Sequence, residues 1–204
     1  MGIVIRQSLK GSIVTYLGTA IGTFNVIFLY NKFLSQEQVG LIAGALVSIP
    51  LIFASFTQLG IPHIAVRFFP HFDDPNNGHK GFFTFLLVAP LFGLALFVLG
   101  YLALKPLFFE VYSANSPLLP QYFYYIIPLT ASYLYMSVLE AYARVHLRIV
   151  VPAIIRELYL RVSNGVLVIA FAMGYLTFNQ LILAITLSYV VAVAGLLAYI
   201  KQLK

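Results

Sequence analysis

IIRELYLRVSNGVLVIAFAM, residues 154–173, is the stretch on which the fold turns. It has the length of a membrane-crossing helix, about 20 residues. From Val166 onward it is apolar, but its first half carries Arg156, Glu157 and Arg161. Charged side chains inside a span are costly, and they persist where they pair or face a cavity. Read as a span, the stretch puts its charges in the first turns. At 1.5 Å per residue, Arg161 then lies roughly 15 Å in from Val151. That is deep for snorkelling alone, although an arginine stem recovers part of the distance.

The rest of the chain supports the membrane reading. Of its 204 residues, 61% are hydrophobic and 9% charged. Soluble domains run near half apolar and a quarter charged. There is no cysteine, so a disulfide framework, a cysteine zinc site and a thiol nucleophile are excluded. The net charge of +6 points first to membrane topology, because no basic run with interleaved aromatics resembles a nucleic-acid face. Arg6 and Lys10 precede a long apolar segment with no small-residue cleavage pattern before Asn31. This reads as an uncleaved first span.

Six segments suit membrane crossing: roughly 12–30, 40–62, 82–104, 119–142, 151–173 and 178–200. The expected fold is therefore an all-α polytopic membrane protein with six transmembrane helices. Arg6, Lys10, Arg67, Lys80, Arg144, Arg148, Arg156, Arg161, Lys201 and Lys204 fall on one side, and only Lys32 and Lys105 on the other. Basic residues favour the cytoplasmic side, so both termini are expected there, in agreement with an even number of spans.

The helix faces suggest where polar chemistry sits. On span one, Gly11, Thr15, Gly18, Gly22 and Asn25 form a small and polar stripe, opposite Ile13, Leu17, Ala20, Phe24 and Phe28. The stripe suits either close helix packing or the wall of a watered cavity. Gly40 and Gly44 repeat the close-packing spacing on span two, where Pro50 should kink the helix. Span three is almost wholly apolar and reads as lipid-facing. On span four, Tyr122, Tyr133, Ser137, Glu140 and Arg144 share one face if Pro128 does not rotate its halves. Glu140 can pair with Arg144, and Glu157 with Arg161, each four residues apart.

Motifs for bond-making chemistry are missing. There is no Walker loop, dinucleotide fingerprint or serine elbow. His71, Asp73, Asp74 and His79 surround a Pro-Asn-Asn-Gly turn that reads as solvated loop, not as a metal site. No enzyme activity and no cofactor is expected.

KGSIVTYLGTAIGTFNVIFLYNKFLSQEQVGLIAGALVSI (residues 10–49), LGIPHIAVRFFPHF (59–72) and IIRELYLRVSNGVLVIAFAMGYLTFNQLI (154–182) together resemble the polysaccharide-biosynthesis flippases. These are the O-antigen and capsule exporters of the multidrug/oligosaccharidyl-lipid/polysaccharide superfamily. The resemblance rests on a basic residue before a Gly/Ser/Thr-rich first helix, on Glu37 and Gly40 around the second, on Arg67, and on Arg161. It implies one six-helix lobe of a two-lobe transporter in a bacterial inner membrane. A polyprenyl-pyrophosphate-linked oligosaccharide would be flipped by alternating access between two such lobes, so a second lobe or a second copy is an expected partner. The rivals are a multidrug exporter of the same superfamily, which would favour an acid in span one, and a non-transporting scaffold for glycan assembly. After pairing, Arg144, Arg148, Arg156 and Arg161 exceed Glu140 and Glu157 by two charges. Arginine suits a pyrophosphate headgroup. Arg67, Arg144, Arg156, Arg161, Glu140 and Glu157, with Asn25 on span one, form the expected substrate-binding cavity, and the basic cluster with Arg67 is its cytoplasmic mouth.

Overall fold

The structure, a computed structural model, describes residues 2–72, 81–113 and 118–202. All regular structure among them is helical. Helix α1 runs over Gly2–Phe24 and continues through a π-helical turn, Asn25–Tyr30, into Asn31–Phe33. Ser35 caps α2: its hydroxyl accepts from Gln38 N, while the Gln38 side chain accepts from Ser35 N. Helix α2 comprises Gln36–Val39, a second π turn Gly40–Ala45, and Leu46–Thr57. Then follow α3 (Ile61–Phe72), α4 (Phe82–Ala103) and α5 (Lys105–Ser113). Helix α6 opens with a 3-10 segment, Leu119–Tyr125, and runs to the end of Ile126–Val145. Helix α7 joins Val150–Ala153, a third π turn Ile154–Tyr159, and Leu160–Ala172. Helix α8 is Phe178–Lys201, capped by Thr177 and Gln180 as α2 is by Ser35 and Gln38.

Four helical stretches are long and apolar enough to cross a membrane: Ile5–Phe33, Gln36–Thr57, Phe82–Ala103 and Phe178–Lys201. The chain is thus a multi-pass membrane protein by length and composition. The segments expected over 119–142 and 151–173 are helical but are not among these four. Their polar side chains have structural uses. Helix α6 is the hub, packed against α2, α3, α4 and α8. Its buried hydroxyls turn back on its own carbonyls, Thr130 to Ile126 O and Ser132 to Pro128 O, and Tyr135 donates to Leu87 O on α4. Helix α7 carries the charges described below.

The segment expected to be one helix over 40–62 breaks after Thr57. Leu59 and Gly60 both take positive φ, 48° and 72°, and α3 starts afresh at Ile61. Gly60 followed by Pro62 in the new first turn is the usual stop-and-restart pattern. Pro50 does not interrupt α2, and the widened turn lies upstream of it. Tyr122 lies in the 3-10 segment with non-helical φ/ψ (−104°, 16°), so the α-helical period does not run unbroken from it to Tyr133, although both tyrosines meet α8. Its hydroxyl donates to Asn179 Oδ1 at the start of α8. Helix α4, expected to face lipid, is exposed on one side only: Phe92 and Leu99 are exposed, while Leu86, Gly93 and Tyr101 are buried.

Contacts fix the helix directions. Gly11, Gly18 and Gly22 of α1 face Ile149, Glu157 and Arg161, so α1 and α7 run parallel. Tyr122–Asn179 and Tyr133–Tyr189 make α6 parallel to α8. Phe83–Tyr142 and Tyr101–Phe123 make α4 antiparallel to α6. Helices α7 and α8 form a hairpin through Gly174, whose φ is 79°. The start of α1 and the end of α8 therefore share one end of the bundle. Asp73, Asp74, Asn77, His79, Lys80 and Lys204 lie outside the described residues.

Candidate functional site

The stripe on α1 is the foundation of the site. A Cβ on Gly18 would sit 2.7 Å from Glu157 O, and one on Gly22 would sit 3.1 Å from Arg161 Cδ. Missing side chains let the two backbones approach. Further along, Asn25 is buried and its Nδ2 donates to Arg161 O at 2.7 Å. Gly165 makes room for it, since a Cβ there would lie 2.8 Å from Asn25 Oδ1. The stripe is therefore packing surface and cavity wall at once. Phe24 and Phe28 stack on each other at 5.1 Å on the outer, exposed face.

Against this surface α7 presents its charges. Arg161 Nη2 donates to Glu157 Oε2 at 2.6 Å, the expected pair along the helix. Glu140 behaves differently from expectation. Its partner is not Arg144 but Arg156 across the helix interface, with Nη1 2.9 Å from Oε2. Arg156 also reaches Glu157, Nε to Oε1 at 3.6 Å. Neighbours in sequence do not face each other on an α-helix. Here both belong to the π turn Ile154–Tyr159, and π turns recur at functional sites. The deep charges are thus held by one another and by α1, not by snorkelling. Among the described residues Arg144 forms no ion pair, and it is exposed.

Among the described residues three clefts adjoin this network. The largest, about 610 Å³, lies between α1, α2, α6, α7 and α8. One wall is apolar (Ile42, Leu46, Val47, Leu51), and the other carries Asn25, Tyr133, Glu157, Arg161, Asn164 and Tyr189. Tyr133 and Tyr189 join hydroxyls at 3.1 Å. All three π turns contribute lining residues: Asn25 and Tyr30 of α1, Ile42 and Ala43 of α2, Arg156 and Glu157 of α7. The second cleft, about 520 Å³, is lined by Gln58, His63, Arg67, Ser137, Glu140, Arg144 and Arg156. Ser137 donates to Gln58 Oε1 across its wall at 3.1 Å. The third, about 210 Å³, holds Thr15, Glu140, Arg144, Arg156 and Glu157. Each of the seven expected residues, Asn25, Arg67, Glu140, Arg144, Arg156, Glu157 and Arg161, lines at least one cleft, and Arg156 lines all three.

Sequence reasoning missed three features. The π turns have no periodic signature. His63 joins the second cleft only because the chain breaks at Leu59–Gly60. Gly93 is the tightest helix contact: a Cβ there would meet Thr57 O at 2.1 Å. The Gly40–Gly44 pair, by contrast, has no atom within 4 Å of either would-be Cβ, so it makes no close helix contact among the described residues.

Chemically, the arrangement offers an amphipathic cleft beside a basic one. Among the described residues no group of three His, Asp or Glu side chains could hold a metal ion. Comparison with known proteins returns no match: no family model, no curated protein and no solved structure.

Proposed function

We propose that this chain is a six-span lobe of a flippase for polyprenyl-pyrophosphate-linked oligosaccharides, acting in a bacterial inner membrane with both termini cytoplasmic. The observation that carries the reading is the convergence of Arg67, Arg144 and Arg156 on one cleft that joins, through Arg156, the larger amphipathic cleft. A lipid-linked glycan phosphate presents the matching chemistry. Its phosphates suit arginine forks, its sugars suit the Asn164, Tyr133 and Tyr189 groups, and its isoprenoid suits the wall of Ile42, Leu46 and Leu51. Of the described lysines and arginines, Arg6, Lys10, Arg67, Arg144, Arg148, Arg156 and Lys201 fall toward the shared end of the bundle, Arg161 is level with Gly22 of α1, and Lys32 and Lys105 fall toward the other end. This bias favours a cytoplasmic basic end. The second lobe, or a second copy, closes the cavity.

The test is export of surface polysaccharide from cells in which the gene, in its natural context, carries Arg67→Ala with Arg156→Ala. At matched membrane abundance, export is lost, and the Arg→Lys versions restore it partly, because lysine keeps the charge without the fork. Near-normal export by the double alanine variant would reduce the cluster to packing and topology.

A further inference from the structure

Glu140 has two arginines within reach and uses one. Its Oε2 accepts from Arg156 on α7, while its Oε1 is buried with no hydrogen-bond partner. A buried acceptor left unmade is costly and calls for an explanation. Arg144 stands four residues along the same helix, the spacing at which side chains meet. It lines both smaller clefts together with Glu140. Arg156 is half exposed, at 51% for the side chain, against 14% for Glu140 and 16% for Glu157. Its free face therefore opens to the clefts while its acids are sunk in the bundle.

We propose that Glu140 is an exchangeable stand-in for a phosphate: an anion that takes Arg156 hands Glu140 over to Arg144. This rests on the reading of the cluster as a headgroup site. Two arrangements of the same charges are available. In the one observed, Glu140 joins α6 to α7 through Arg156, and Arg144 and Arg67 are open to the cleft. In the other, Glu140 pairs along α6 with Arg144, and Arg156, left with only its longer 3.6 Å contact to Glu157, is open together with Arg67. Both leave two cations for a pyrophosphate, but only the second frees the arginine that all three clefts share. A ligand shifts such an equilibrium by its differential affinity for the two states, and an anion whose carrier occupies the largest cleft binds the second better because Arg156 lines that cleft and Arg144 does not. Among the described residues, Arg156–Glu140 is the only ion pair joining α6 and α7. The exchange therefore also unfastens these helices when the headgroup arrives. Arg144 is a positioning residue in this scheme: it acts on the anion through Glu140.

A double-mutant cycle tests this, with inorganic pyrophosphate titrated into the full chain in nanodiscs. Glu140→Gln is nearly isosteric and Arg144 is exposed, so both variants keep the fold, as their melting temperatures will show. Glu140→Gln should bind pyrophosphate more tightly than wild type, because the internal competitor is gone. Arg144→Ala should weaken binding about tenfold in the wild-type background, within the usual range of coupling between sites. In the Glu140→Gln background it should weaken binding less than about twofold, because no displaced carboxylate then needs a partner. An equal loss in both backgrounds makes Arg144 a direct ligand and overturns the exchange alone. A wild-type chain that does not bind pyrophosphate overturns the headgroup site and the exchange with it.

Discussion

Gly18→Ala should loosen the α1–α7 contact and move the ion cluster, although it adds only one methyl group. The added Cβ would lie 2.7 Å from Glu157 O, 2.9 Å from Glu157 Cβ and 3.0 Å from Glu157 C. Two of these three atoms are backbone, so no rotamer relieves the overlap and the helices must part by several tenths of an ångström. Inserting a methyl into a packed contact costs about 1–3 kcal/mol. Replacing glycine by alanine in a helix returns about 1 kcal/mol, so the net loss is about 0–2 kcal/mol against wild type and about 1–3 kcal/mol against a glycine-to-alanine change that meets no clash. Gly100 supplies the control, since it is helical, exposed and has nothing within 4 Å of its would-be Cβ. Gly100→Ala keeps the propensity gain and meets no clash. Gly22→Ala falls between them, because it meets the movable Arg161 side chain at 3.1 Å. Unfolding by SDS in mixed micelles ranks the three. A Gly18→Ala protein as stable as Gly100→Ala would refute the close approach of α1 and α7, and with it the placement of the charges.

Two further outcomes are accessible. The chain has no cysteine, so single introduced ones report topology unambiguously: Ser35→Cys, between α1 and α2, should react with an impermeant maleimide on intact cells, and Leu147→Cys, between α6 and α7, only after lysis; the reverse would invert the proposed orientation. Asn25→Ala should cost about 0.6–1.5 kcal/mol for the lost bond to Arg161 O, and Gly165→Ala should cost clearly less in that background than in wild type, because the Asn25 side chain it would strike has gone; additive costs in a chemical-unfolding cycle would place Asn25 elsewhere.

The parts legible in the sequence were those that depend on one helix at a time. Hydropathy and period located the helical segments, and the four-residue spacing located Glu157–Arg161. The partner of Glu140 was not legible, because an arginine four positions away and one sixteen positions away are equally plausible donors until α6 and α7 are docked. The break at Leu59–Gly60 could have been read, since Gly60 and Pro62 carry the stop-and-restart pattern, but the apolar run on both sides concealed it. Gly93 could not, because a lone glycine in an apolar helix looks the same whether it faces lipid or a carbonyl. The Gly40–Gly44 pair shows the converse: the close-packing spacing is present without a neighbour to pack.

The charge cluster and the glycine stripe form one device. Arg161 sits against α1 with its charge neutralised by Glu157, and the two residues are placed where α1 offers no side chains at Gly22 and Gly18. Larger residues there would push α7 outward and turn its charges toward lipid, where each costs several kcal/mol. The π turn Ile154–Tyr159 then spreads Arg156 and Glu157 so that one guanidinium meets acids on two helices. None of these three elements would place Arg156 at the junction of the clefts without the others. Substitutions at Gly18 should therefore impair the cluster as surely as substitutions of its arginines, despite lying outside every charged contact.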